Sequence, residues 1–487
     1  MTRPAGNRPP GPFLADELVR VRDGDRLSLH MPGHKGGRGA SILARETLGE
    51  AAFAADVSEM GGYDYLHAPQ GAMADAQRAA ADEFGSGRTF FLVNGSTVGN
   101  QAAIMGTCRD GDMIVMPRGS HRSVYAGCVL AGAVPRYVPI GYDAIRDGWF
   151  AADIASFAHL GLGGNLAGSM RAVHVTRPNY YGMACDLAPW LALARAHDAV
   201  LIVDEAHGSH FGRDPRLPAS ALSLGADIVI QSTHKTLGAL TQSSMLHVGH
   251  DAIATGCVDT ERLAHTLQML QSSSPSALLT ISLDLARAAL RDNPFGGVVD
   301  LAVRLRAEID TIASLATVAT DDPTKVVVDV TGLAMTGFDA ADVLRSACRL
   351  WVELADFRRV VVSVTVGDSV DSIDMVADAF RSLTRGPLPN RRSGSPSPGP
   401  PGITIPEMVL APRQADHTKT RPVALEHVLG EVIGEYVIPY PPGIPLLVPG
   451  ERIDTSAMDA LTQFLAAGCR IVGPFDPDLR ELRVLVR

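Results

Sequence analysis

No stretch of this sequence comes near the roughly 18 consecutive apolar residues that crossing a bilayer requires. The N-terminus, with Arg3, Arg8 and several prolines, also lacks the apolar run of a signal peptide. The chain is therefore expected to work in the cytoplasm, with no membrane partner. Cysteine is scarce: six residues, Cys108, Cys128, Cys185, Cys257, Cys348 and Cys469, are scattered without CxxC spacing. This speaks against a disulfide scaffold and against a metal site. Basic surface is scarce too. The formal net charge is -10, and the compact basic pair Arg391 and Arg392 sits among Pro and Ser, so a nucleic-acid backbone has no extended basic face to dock on. No internal repeat, coiled-coil heptad or Rossmann glycine fingerprint is found.

What the sequence does have is enough apolar material for a large core. At 487 residues, with 46% hydrophobic and 20% charged, it should fold as two or three units of ordinary domain size. Between residues 89 and 250, short β-rich runs (89–93, 113–116, 171–176, 200–204 and 227–231) alternate with helical stretches. That is the βαβ rhythm of a parallel sheet covered on both faces. Residues 187–197 carry apolar side chains at helical spacing and read as a crossover helix. After about residue 295, strands at 325–330 and 360–366 flank a helix at 340–350, a smaller α/β unit. Residues 386–402, rich in Pro, Gly, Ser and Arg, read as a linker, and 403–487 form a third, short unit.

Four segments carry chemistry. The run Asp227-Ile-Val-Ile-Gln-Ser-Thr-His-Lys235 is a buried strand ending in lysine; Lys235 is either a surface cap or an amine that forms an imine with an aldehyde cofactor. The run Val200-Leu-Ile-Val-Asp204 delivers a carboxylate to the same sheet edge, where open α/β sheets bind ligands. Asp204 is either a helix cap or the partner of a protonated pyridine nitrogen. Gly95, Ser96 and Thr97 open an apolar helix starting near Gln101 and suit a phosphate, with Ser232 and His234 as further donors; a plain capped turn is the alternative. His121, after the 113–116 strand, is either an ordinary loop histidine or a flat ring stacked on a cofactor.

Several motifs in one order resemble the ornithine/lysine/arginine decarboxylase family. They are Leu29-His-Met-Pro-Gly-His-Lys-Gly-Gly37, Leu66-His-Ala-Pro-Gln-Gly71, Val93-Asn-Gly-Ser-Thr97, Val203-Asp-Glu-Ala-His-Gly208, Ser232-Thr-His-Lys235 and Tyr440-Pro-Pro-Gly-Ile-Pro445, running on to Glu451. The chain is similar to the shorter bacterial members, which lack the receiver-like N-terminal wing. The resemblance implies pyridoxal 5'-phosphate (PLP) as cofactor and an aspartate-aminotransferase type of α/β fold. That fold has a PLP-binding major domain with a mainly parallel sheet (71–295), a smaller α/β domain (296–385) and a short C-terminal α+β domain (403–487). Residues 1–70 would contribute to the active site and the dimer. The resemblance further implies Lys235 as the Schiff-base lysine, Asp204 at the pyridine nitrogen, His121 stacked on the ring and His207 beneath or beside it. Gly95, Ser96, Thr97, Ser232 and His234 fall on the phosphate side. A homodimer or an assembly of dimers is implied as well. The segment Asp56-Val-Ser-Glu-Met-Gly-Gly-Tyr-Asp64 departs from the family's usual Leu-Pro-Gly-Leu-Asp version.

The expected reaction is decarboxylation of a basic amino acid, arginine, lysine or ornithine, to a diamine or agmatine and carbon dioxide. Glu353, Asp356 and Glu451 are the acidic candidates for the distal cation. Two rivals stand beside it: an aminotransferase on the same fold, and a non-catalytic PLP-binding regulator. Many aminotransferases use an arginine on a late strand of the small domain, and the expected strand 360–366 holds none, since Arg358 and Arg359 precede it.

Overall fold

Runs of Val, Ile and Leu bounded by polar turns form a seven-stranded sheet in the computed structural model, which describes residues 11–22, 27–143, 148–152, 170–292, 295–385, 404–440, 443–466 and 468–486. The spatial order is Arg88–Leu92, Ser244–Val248, Ile228–Gln231, Val200–Asp204, Met170–Thr176, Met113–Pro117 and Val134–Val138. Ser244–Val248 runs antiparallel to both its neighbours and the other pairs are parallel.

Strand side chains alternate between two apolar layers, as a period of two dictates. Ile114, Met116, Ile202, Ile228 and Ile230 pack under the helices Gly95–Thr107, Arg122–Ala131 and Thr260–Leu270. Met113, Val115, Leu201, Val203 and Val229 pack under the helix Ala188–Ala196, anchored by the fully buried Trp190. With both faces covered, the C-terminal ends of the parallel strands are where side chains meet an opening.

The helix expected near Gln101 begins at Gly95 instead. Gly95 takes φ +67°, a conformation that favours glycine, so the small residues are the helix's first turn and not a spacer before it. Further along, a Cβ on Gly99 would lie 2.7 Å from Ile230 and 2.9 Å from Leu92. Its absence lets the helix sit close against the sheet and brings its N-terminus to the strand ends.

The second sheet is antiparallel throughout, in the order Ala316–Val318, Lys325–Asp329, Arg359–Ser363 and Leu354–Ala355. The strand expected at 360–366 therefore starts at Arg359, paired with Asp329. It stops early because Asp368 accepts from the Thr365 N–H and turns the chain into the helix Val370–Ser382. The helix expected from residue 340 starts at Gly337, where Thr336 and Asp339 cap one another's backbone. In the C-terminal segment, the strand pairs Thr420–Ala424 with Glu481–Leu485 and Ile438–Tyr440 with Arg470–Val472 surround the helix Thr455–Ala466. Their core includes Leu446, Leu447, Phe464 and Val484, and reaches Phe357 of the second sheet's unit. The expected linker, 386–402, lies outside the described residues. No helix among the described residues is long and apolar enough to cross a membrane.

Candidate active site

The C-terminal edge of the parallel strands opens into a cleft. Lys235, Asp204, His207, His121 and Ser96 line it, together with the segment after the Met170–Thr176 strand and Ile444 from the C-terminal unit.

Lys235 stands on the single helical turn Thr233–Thr236, just after the strand Ile228–Gln231. Its Nζ is 3.0 Å from His207 Nε2. Burial draws the amine below the usual lysine value, Lys325 pushes the same way, and Asp204 pulls it back up. His207 is held well below an ordinary histidine, first by burial and then by the Lys235 and Lys325 cations. A neutral imidazole thus accepts from the lysine amine.

Asp204 is 2% exposed. Its Oδ2 accepts from Asn100 Nδ2 at 2.8 Å and its Oδ1 from the Ala206 N–H at 3.2 Å. A carboxylate only accepts, so the Asn100 amide is oriented by it. The same amide donates to Ser123 Oγ at 3.0 Å, and Ser123 in turn approaches His121 Nδ1 through its hydroxyl (2.8 Å) and its backbone N–H (3.3 Å). With two donors on Nδ1, the proton of a neutral His121 ring sits on Nε2. Burial lowers the His121 pKa, which favours that neutral, flat ring. Asp204 and His121 are therefore joined through Asn100 and Ser123, two residues to which the sequence reading gave no role. Their signal was available: Asn100 is the polar residue on the buried face of an apolar helix, and a buried amide needs partners.

On the other side of the cleft, Ser232 Oγ donates to Ser96 Oγ at 2.9 Å, and no side chain caps the helix that Gly95 opens. Thr97 is exposed on that helix's first turn. His234 Nδ1 faces the Ser243 carbonyl at 2.8 Å, so its donor is engaged there.

The acidic candidates separate clearly. Glu353 is exposed, and its charge is felt by Lys235 and Tyr180. Asp356 accepts from Tyr181 Oη at 2.8 Å and from the N–H groups of Arg358 and Arg359. Glu451 is wholly buried, with its oxygens on Arg118 at 2.6 and 2.8 Å. The expectation that Asp356 and Glu451 are available to a ligand is thus corrected, because both carboxylates are already bound to protein donors. The argument from a late strand without arginine is corrected too. Arg359 lies on that strand, but it pairs with Asp356 and lines a separate cleft beside Ser314 and Thr331.

One wall escaped the sequence reading altogether: Asn179, Tyr180, Tyr181 and Met183. Tyr180 meets the His207 ring edge-on, with centroids 5.1 Å apart. These residues follow the end of the strand Met170–Thr176, and the strand-end logic that singled out His121 applies equally to them.

The residues present fit PLP. An amine with a lowered pKa, a buried carboxylate, a neutral flat ring and an uncapped helix N-terminus converge on one cleft. Buried Thr176 Oγ1 and His207 Nδ1, both on residues lining it, lack a protein partner among the described residues.

Comparison with known proteins identifies the family. Residues 12–331 match the family model "Orn/Lys/Arg decarboxylase, major domain", and residues 401–478 match "Orn/Lys/Arg decarboxylase, C-terminal domain". The chain is similar to the arginine decarboxylase of Halalkalibacterium halodurans, at 34% identity over 94% of each chain, and to that of Bacillus subtilis, at 33% over 94% of each. Among solved structures, the lysine decarboxylase of Francisella novicida has the same fold, with a TM-score of 0.85 at 21% identity over 98% of this chain and 81% of that one. The constitutive lysine decarboxylase of Escherichia coli gives a TM-score of 0.82 at 21% identity over 98% and 82%. The chain belongs to the Orn/Lys/Arg decarboxylase family and is an amino-acid decarboxylase of the PLP-dependent kind.

Proposed function

We propose that this chain removes the α-carboxylate of a basic amino acid as carbon dioxide, with arginine the favoured substrate and agmatine, a polyamine precursor, the product. The observation that carries the reading is the meeting of Lys235, Asp204 and His121 at one sheet edge, with Lys235 held by a neutral His207. The preference for arginine is supported by the two relatives named arginine decarboxylase.

PLP, when bound, supplies an aldehyde and an electron-accepting ring that stabilises the carbanion left as carbon dioxide departs. Lys235 would hold the aldehyde carbon covalently, and its lowered pKa favours the neutral amine that this attachment needs. Asp204, fixed by Asn100, would keep a proton on the ring nitrogen. His121 would lie against the ring face, its tautomer set by Ser123. Ser96, Ser232 and the N–H groups of the uncapped helix would hold the phosphate, with Thr97 and His234 beside them. Glu353, of the three acidic candidates, is the one we assign to the distal cation.

The reading also includes a homodimer. Leu27, Leu29, Met31, Ile42, Leu43 and Leu48 are each at least 64% exposed within one stretch of the N-terminal segment, and such grouped apolar exposure suits an interface.

The test is carbon dioxide release from labelled arginine, lysine and ornithine in parallel. Release from arginine with clear rejection of lysine is expected, because acidic groups placed for a planar guanidinium do not serve an ammonium equally. Release from none of the three, with amination of an added keto acid, would make the chain a transaminase.

A further inference from the structure

Arg118 follows the strand Met113–Pro117 directly, and its neighbours Gly119 and His121 line the Lys235 cleft. Its side chain turns away from the cleft into the C-terminal unit. Nε donates to the Pro445 carbonyl at 2.9 Å and Nη2 to the Leu446 carbonyl at 3.0 Å, while Nη1 and Nη2 grip the two oxygens of Glu451. Glu451 also accepts from the Val448 N–H at 2.9 Å, the guanidinium lies over the Tyr137 ring, and Tyr125 Oη donates to the Arg118 carbonyl. Arg118 and Glu451 are 1% and 0% exposed.

A buried ion pair is a weak source of stability, since desolvation offsets most of its attraction, but a bidentate pair fixes geometry closely. What it fixes here is the chain on either side of Pro445, and the residue just before that proline is Ile444, which lines the cleft. Opposite stands Gly119, where a Cβ would fall 2.4 Å from Ile140 and 3.6 Å from Ile444. Gly119, Ile140 and Ile444 thus meet as a hydrocarbon part of the cleft lining.

We propose that Arg118 and Glu451 are positioning residues that seat Ile444 in the wall of the Lys235 cleft, so that the C-terminal unit sets the fit of the substrate's hydrocarbon stem. The substrate part of this inference rests on the decarboxylase reading above. The positional part does not.

The experiment uses full-length holoenzyme and three variants: Ile444→Ala, the joint replacement Arg118→Met with Glu451→Met, and all three changes together. The joint replacement leaves no lone buried charge. Ile444→Ala should raise KM for the basic amino acid by roughly tenfold and change kcat about twofold at most. The joint replacement should raise KM similarly, and the triple variant should add nothing further, because a displaced wall and a trimmed wall are the same loss. Hydrogen exchange at residues 117–123 and 444–448 should quicken together in the joint variant. A joint variant with unchanged KM and a lowered Tm would make the pair merely structural and overturn the proposal, as would additive KM effects. Ile444→Ala with unchanged KM overturns the wall itself, whatever the joint variant does. Absence of carbon dioxide release from the unaltered enzyme overturns the decarboxylase reading and the substrate part with it, and the exchange measurement, which needs no substrate, then decides the positional part alone.

Discussion

Lys235 is an amine at the mouth of the cleft, exposed in the single chain, and its surroundings make its titration a test of its role. Only the neutral amine attacks an aldehyde. Burial lowers its pKa below the ordinary 10.5, with Lys325 acting the same way and Asp204 acting against both. The rate at which apo-protein captures added PLP in a borohydride-reducible form should therefore rise with pH and level off below 10.5. Removing the opposing carboxylate in Asp204→Asn should move the inflection down, and removing the like charge in Lys325→Met should move it up. Lys235→Ala should capture nothing and should not turn over; a reducible adduct in that variant would place the attachment elsewhere. Asp204→Ala asks the complementary question. It should still capture the cofactor covalently yet release carbon dioxide more slowly by about 10²–10³-fold, with Asp204→Glu between, and near-normal turnover would remove Asp204 from its assigned role. Lys235, Asp204 and His121 could be picked out in the sequence because each ends or follows a hydrophobic run. Asn100 could not be tied to Asp204 in the same way. The two are 104 positions apart, and only the close seating of the Gly99 turn on Ile230 brings them together.

Among the secondary-structure elements, the helix Gly95–Thr107 is the one whose geometry bears most on binding. Its uncapped first turn presents backbone N–H groups, and Ser232 reaches across from the lysine strand to Ser96. Each charge-assisted hydrogen bond lost from a bound phosphate costs roughly 1.5–3 kcal/mol. Ser96→Ala should therefore weaken PLP affinity roughly 10- to 150-fold, measured by titrating apo-protein. Thr97→Ala should do less, because its side chain is exposed. Equal and negligible effects of both would put the phosphate at another element. The strands of the main sheet were read nearly in place because Val and Ile runs between polar turns have few other ways to fold. Boundaries set by a side chain a few residues outside the hydrophobic run were not, as the Thr336 and Asp339 cap and the Asp368 turn after Ser363 illustrate. The Asn179 to Met183 wall has no apolar period to give it away; it is a loop whose role depends on where the preceding strand ends.

For the whole molecule, the N-terminal segment is the part that bears most on the proposed homodimer. Leu14, Tyr63, Leu66 and Met73 are packed against Phe91 and Leu283, so the ends of the segment belong to the core. Between them, Leu29 is 85% exposed, Leu43 72% and Met60 70%. Exposed apolar side chains scattered singly are ordinary on proteins, but a group of them on one segment suits the proposed interface. With a formal charge of -10, copies repel one another, so any association has to be carried by such a patch and should survive, or tighten, as salt screens that repulsion. Sedimentation at micromolar concentration should give twice the chain mass or a multiple of it, no smaller at high salt. Leu29→Glu with Leu43→Glu should shift the population toward single chains, because each places an unpaired charge where apolar surface would be buried. If the sites are completed across the interface, carbon dioxide release should fall in step with the dimer fraction as the variant is diluted, whereas full activity in a demonstrated monomer would confine the site to one chain and leave the patch without a catalytic part.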